Sequence, residues 1–302
     1  MWRFLLLTLT LSAIGIWFWL HPHAPPPPPS SLSQVPLVEK TISTPTPHPS
    51  QPSAPTTTPP PSPSQAQALS NQLYQQNLVP FRRAGDRAIG FGDVVLGRLN
   101  PDLDAPDTGA TDAPDPKYWA EGIVPYRFSA DFKNPERVNN AIQEIQAHSA
   151  FRFIPHESEP DFIIFTPDEE CLSYLGRIGG GQEIFLGERC GKGEVVHELM
   201  HALGLIHEHS RFDRDDYVEV NWEAIEPGKE LQFSKLPEFS AEIYTRLPFD
   251  YTSILIYAPT AFARSSGSQT LLSRTSTAIT PSRDRLSPGD IEKLSLLYER
   301  TH

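Results

Sequence analysis

Cysteine and methionine are scarce in this 302-residue chain, with two of each, and it holds neither a basic run nor a glycine-rich phosphate loop. Two cysteines exclude a small scaffold built on many disulfides. With 37 acidic side chains against 25 Lys and Arg, the net charge of -12 argues against nucleic acid or an anionic lipid surface as a partner. Long hydrophobic runs are missing too, apart from Phe4 to Leu20, which follows Arg3 and carries Trp17 and Trp19 near its far edge. This run, within residues 1–21, reads as a secretory signal or an uncleaved signal anchor. No small-residue cleavage site follows, since His21-Pro22-His23 leads straight into prolines, so an anchor with its tryptophans at the interface is favoured. Either choice exports the rest of the chain.

Large apolar side chains are nearly absent from Pro22 to about Ser64, where Pro, Ser and Thr dominate. Such sequence cannot bury enough surface to offset the entropy of ordering, so residues 22–68 are expected to form a stiff, extended linker. Ordered sequence resumes near Leu69. In an exported chain, Cys171 and Cys190 read as one disulfide closing a loop of about twenty residues, worth about 3 kcal/mol.

The spacing predicts an α+β fold. Val124 to Phe128, Phe151 to Ile154, Phe162 to Thr166 and Glu183 to Leu186 are short and rich in aromatic or branched residues, as strands are. Asn134-Pro135 is expected to open a helix as N-cap and first helical residue, with Val138, Ile142 and Ile145 on its buried face. Gly179-Gly180-Gly181 suggests a tight turn leading into a strand at a sheet edge, where an extended peptide could add by strand pairing. After His207 the pattern is loop-rich until Ser287-Pro288-Gly289-Asp290, a capping-box start for a last helix bearing Ile291, Leu294 and Leu297. The expected architecture is a small twisted sheet with two helices above a cleft, and a loop-rich lower half ending in a helix. No internal repeat is present.

The chemistry concentrates in His197-Glu198-Leu199-Met200-His201-Ala202-Leu203-Gly204-Leu205-Ile206-His207. His197 and His201 lie four residues apart, on one helix face, and can share a tetrahedral metal. Glu198, roughly 100° around the helix from His197, suits a general base better than a ligand. Gly204 permits positive φ, so the helix can end and the chain can bring back His207 as third imidazole, leaving a fourth position for water. A plain amphipathic core helix would leave three His and a Glu unexplained. The pattern implies a metal-dependent hydrolase acting on peptide bonds.

The stretch from His197 to Val218 resembles the zinc signature of the astacin family within the metzincin metalloproteases. Trp119 with Gly122-Ile123-Val124-Pro125-Tyr126 resembles the start of astacin catalytic domains, Cys171 to Arg177 with Cys190 the region of one family disulfide, and Arg285 to Tyr298 the final helix. The resemblance implies a metzincin-like catalytic domain over 116–302 holding one Zn2+ through His197, His201 and His207, with Glu198 as base. Asp250 to Tyr257 resembles the turn beneath the metal, with Leu255 where relatives carry Met. Tyr257 would then be a further zinc ligand at rest and a donor to the oxyanion in catalysis; its alternative is a packed aromatic. Phe91-Gly92-Asp93 resembles an inhibitory segment whose Asp binds the zinc, which makes 69–115 propeptide-like and Asp93 a zymogen switch rather than an ordinary turn Asp. The family spacing has one residue between Phe and Gly, and here there is none. Glu208 would pair with a new α-amino group near Ala110, or else be a solvated acid. The remaining histidines at 148, 156 and 209 are read as surface residues without a role.

The expectation is therefore an exported, secreted or membrane-anchored zinc endopeptidase made as a zymogen. Its partner would be a polypeptide substrate, with no nucleic acid, membrane anchoring through residues 4–20, and a monomer as the working state. The rival is a zinc-binding surface module of weak or no activity, supported by Leu255.

Overall fold

The structure, a computed structural model, describes residues 62–100, 108–114, 116–237, 244 and 246–302. The apolar run at 4–20 and most of the expected linker lie outside these residues. No helix among them is long and apolar enough to cross a membrane.

The first element is helix α1, Pro63–Gln75. It opens ahead of Leu69 and so shortens the expected linker. Ser62 caps it, accepting from the Gln65 amide while the Gln65 side chain accepts from the Ser62 amide, and Pro63 sits in the first turn. The Pro and Ser that made this stretch read as linker are also residues that start a helix, and Gln65 completes the cap. α1 buries Ala66, Ser70 and Leu73, and the Ser70 hydroxyl meets that of Ser234 at 3.2 Å in the lower half.

Four strands follow before residue 116: β1 (Leu78–Ala84), β2 (Arg87–Gly90), β3 (Val94–Arg98) and β4 (Thr108–Asp112). Five more come from the next segment: β5 (Ile123–Phe128), β6 (Arg152–Pro155), β7 (Phe162–Pro167), β8 (Cys171–Tyr174) and β9 (Gly181–Leu186). Together they form one sheet of nine strands in the order β4-β1-β2-β3-β8-β9-β7-β5-β6. The sheet is larger than expected because the segment before residue 116 joins it through a parallel pairing of β3 with β8, Val94 opposite Ser173 and Val95 opposite Tyr174.

Two local expectations need correction. β9 is an interior strand, antiparallel to β8 and parallel to β7, so the strand after Gly181 is no edge. Gly179 and Gly180 do form the turn ahead of it, with φ of 92° and 67°. Helix α2 runs Glu136–His148, one residue later than expected. Asn134 takes φ 60° and Pro135 the cap position without a side-chain cap bond, so Asn134 shapes the turn instead. Its buried face of Val138, Ala141, Ile142 and Ile145 packs toward helix α3, Lys192–Leu203.

The lower half after His207 is loop-rich as expected. It holds short helical turns and a two-stranded sheet of β10 (Val218–Val220) and β11 (Leu271–Ser273). Helix α4, Pro288–Tyr298, closes the chain, with Ser287 and Asp290 forming the expected capping box.

Candidate active site

Helix α3 is locked by Val195, Val196, Leu199, Met200 and Leu203, all in the main core. His197 and His201 project from its other side. Gly204 ends it in the left-handed region at φ 113°, and its amide donates to the His201 carbonyl at 2.8 Å. The chain then turns back to bring His207 in.

Second contacts orient the rings. His197 Nδ1 donates to the Ile254 carbonyl at 2.9 Å and His201 Nδ1 to the Leu205 carbonyl at 2.7 Å. A carbonyl only accepts, so each Nδ1 carries the proton and each Nε2 turns a lone pair inward. The three Nε2 atoms stand 2.9, 3.0 and 3.3 Å apart. Ligands on a tetrahedral zinc, with Zn–N near 2.0–2.1 Å, lie about 3.3–3.4 Å from one another. Asp93 faces the same point, with Oδ2 3.3 Å from His197 and Oδ1 3.4 Å from both His201 and His207. These four residues form a cluster able to hold a metal ion.

Their electrostatics fit a cation at the centre. Burial would lower the pKa of His197, but Asp93 raises it; at His207 burial prevails and the pKa falls to about 4. The nitrogens thus compete for one positive charge, which a divalent ion supplies without a proton. The Asp93 Oδ1 atom and Glu198 Oε2 are buried with no hydrogen-bond partner. Glu198 is 2% exposed, and burial, then the charges of Asp93 and Glu194, push its pKa well above the usual carboxylate range.

Asp93 reaches the cluster despite the missing spacer residue. Gly92 takes φ 100°, and a Cβ there would lie 2.0 Å from the Tyr257 hydroxyl, so glycine alone fits. Phe91 is buried in the main core and its carbonyl accepts from the Tyr257 hydroxyl at 3.0 Å. Tyr257 therefore lines the cleft with its hydroxyl engaged by Phe91. Its ring stacks on His209, centroids 3.7 Å apart, and His209 is fully buried. The reading of His209 as a surface histidine is thus overturned; the His-x-His spacing past the third ligand was the available signal.

The turn carrying Leu255 is held from α4. Asp290 accepts from Ser253 Oγ at 2.5 Å and the Ile254 amide at 2.9 Å, and Ile254 in turn orients His197. Leu255 is 1% exposed and fills the core beneath the rings. Leu255→Met conserves volume, so it should change stability by less than about 1.5 kcal/mol. Catalytic rates within severalfold of the parent are expected; a large gain on introducing Met would show a degenerate floor.

Glu208 is not the solvated acid that one sequence reading offered. It is buried, and its carboxylate faces the Lys293 ammonium, Arg211 Nη1 at 3.2 Å and the Asp250 amide at 3.1 Å. Lys293 and Arg211 were not singled out from sequence, because neither lies in a motif that marks a pairing. Ala110 lies in β4, paired with Pro80 of β1. Cys171 and Cys190 are disulfide-bonded, as expected, and join β8 to the loop before α3.

A cavity of about 490 Å³ runs along the site, lined by Asp93, Glu194, His197, Glu198, Tyr257 and Arg283. A larger hollow of about 870 Å³ lies by the start of α2, among Lys133, Arg137, Asp168 and Glu188. Among the described residues the cluster able to hold a metal lies at the smaller cleft, which is therefore the candidate site.

The family model described as Astacin, a peptidase family, matches residues 112–299. The chain belongs to the astacin family. Zinc metalloproteinase nas-13 of Caenorhabditis elegans is 38% identical over 186 residues, 60% of this chain and 40% of that relative. Bone morphogenetic protein 1 of Xenopus laevis is 36% identical over 192 residues, 61% of this chain and 27% of that protein. The chain thus spans well under two thirds of the length of these curated relatives. Among solved structures, the astacin fold is matched by high choriolytic enzyme 1, a hatching enzyme zinc-protease from the medaka fish Oryzias latipes. The TM-score is 0.55 at 31% identity, covering 61% of this chain and 94% of that one.

Proposed function

We propose that this astacin-family chain is a zinc-dependent endopeptidase, made as a zymogen in which Asp93 occupies the position that opens for water in the mature enzyme. The observation that carries the reading is the convergence of three Nε2 atoms and one carboxylate on a single point. When bound by His197, His201 and His207, zinc supplies Lewis-acid polarisation of the scissile carbonyl and acidifies the attacking water. Glu198, beside these ligands and without a hydrogen-bond partner on Oε2, takes the proton of that water and passes it to the leaving amine. Tyr257, once its hydroxyl is released from the Phe91 carbonyl, donates to the developing oxyanion.

The segment up to residue 115 blocks this in three ways. Asp93 caps the ligands, Phe91 holds Tyr257, and β3 occupies the edge of β8. Its removal leaves β8, not the strand after Gly181, as the edge on which an extended polypeptide can pair. The disulfide fits an exported location, with or without a membrane anchor at residues 4–20.

The test is cleavage of a denatured protein by purified chain freed of residues before about Pro116. Activity should be lost to a chelator and regained with Zn2+; a trimmed chain that binds zinc yet cleaves no peptide would leave the binding-module reading. The pH profile adds a second check. A general base works deprotonated, so kcat/KM of the trimmed, zinc-loaded chain should fall on the acid side as Glu198 takes up a proton, and Glu198→Gln should abolish that limb together with the activity.

A further inference from the structure

The segment seated beside the cleft is basic, whereas the part it covers is acidic. Residues 62–100 hold four Arg and two Asp with no Lys or Glu, while residues 116–302 hold 19 Lys and Arg against 29 Asp and Glu. Three of the four arginines lie on carboxylates of that acidic part: Arg82 on Glu170 at 2.7 Å, Arg87 on Asp168 at 2.9 Å, and Arg98 on Glu183. Asp93 and Phe91 account for the block at the metal cluster, so these three pairs have no part in it.

The floor between the carboxylates is apolar. Leu172 and Tyr174 of β8 and Phe185 of β9 pack with Ile89 and Val95 in a cluster separate from the main core. The Arg87 guanidinium lies over the Phe185 ring, 4.2 Å from its centroid, while it also meets Asp168. A planar guanidinium stacks and pairs at once, which an ammonium does less well. Glu170 precedes Cys171, which lines the cleft, and Arg98, the partner of Glu183, closes the strand that starts just past Asp93. The acids thus flank the path that an extended chain takes along β8 away from the metal ligands.

We propose that this face is an exosite for extended, arginine-bearing polypeptides, and that the peptidase prefers substrates with arginines on the stretch that follows β8. This preference rests on the peptidase reading above. Without the residues before 116, Asp168, Glu170 and Glu183 stand without their arginine partners, beside an uncovered apolar floor and an open strand edge. A substrate that lays its amides on β8 and its guanidinium groups on these acids restores all three kinds of contact. An acidic chain meets like charge instead. Opposite charge at this range speeds encounter and favours the right register, and salt weakens both.

The experiment uses the full chain with an engineered protease recognition sequence ahead of Pro116, cut after purification and separated from the released segment. Two peptides share one cleavable core and carry either Arg or Glu at spaced positions on both flanks. At low ionic strength kcat/KM should favour the Arg peptide by about tenfold, mostly through KM, and in about 0.5 M salt by less than about threefold. Asp168 also accepts from the Glu169 and Glu170 amides, so the exosite variant leaves it in place. Glu170→Gln/Glu183→Gln should remove most of the preference, whereas the same loss of charge in the lower half, Glu219→Gln/Glu223→Gln, should leave it intact. Equal rates on the two peptides would overturn the proposal, as would a preference that both double variants lower alike or that neither lowers. Binding to the zinc-loaded Glu198→Gln chain, cut in the same way, needs no turnover. There the Arg peptide should bind about tenfold tighter than the Glu peptide, and Glu170→Gln/Glu183→Gln should close that gap. If the cut chain cleaves neither peptide, the peptidase reading fails while the binding comparison still decides the exosite.

Discussion

Glu198→Gln should lower kcat roughly 10²–10⁴-fold while the protein keeps one zinc per chain. The substitution preserves shape and sits at a site that is 2% exposed, so packing around α3 changes little. The amide cannot take a proton from the attacking water or return one to the leaving nitrogen, and the ligands on either side are untouched. Zinc analysis separates this loss from loss of metal, and thermal unfolding separates it from loss of fold. His201→Ala makes the contrast, since it removes a fully buried imidazole of the cluster and should lose metal and activity together. Parental cleavage by Glu198→Gln would refute the mechanism, whatever the metal content.

Asp93→Ala should give the uncut chain measurable activity, about tenfold or more above the parent zymogen, because each tenfold corresponds to only about 1.4 kcal/mol of lost blocking interaction. The carboxylate facing all three imidazoles is gone, and water can take its place. Activity should stay below that of the cut enzyme, since β3 still pairs with β8 and Phe91 still holds the Tyr257 hydroxyl. Arg82 with Glu170 and Arg87 with Asp168 also continue to fasten the segment. Initial rates with the chain shown intact by mass spectrometry are the measurement. An intact Asp93→Ala chain as silent as the parent would assign the block to the strand and the tyrosine alone.

The helix carrying His197 and His201 was legible from spacing because α-helical periodicity places the two together and Gly204 stops the helix at a fixed point. The last helix was legible from Ser287 and Asp290 for the same local reason. What escaped sequence reasoning was long-range. Nothing in Val94-Val95-Leu96 announces that it pairs with Cys171 to Tyr174, and β8 itself is only four residues, too short for alternation to stand out. Lys293 and Glu208 are far apart along a chain rich in charge, so their burial against one another is a tertiary fact. His209 was misjudged because imidazole reads equally well as surface or core until its neighbours Tyr257 and Phe233 are placed around it.

The shared sheet has a consequence for the life of the protein before activation. A strand such as β8 with its amides unmatched is a template on which copies of a chain can stick together. While β3 covers it, that template is sealed. If the chain is activated by a cut, as proposed, the same cut would unseal it, and the active form would trade shelf life for access.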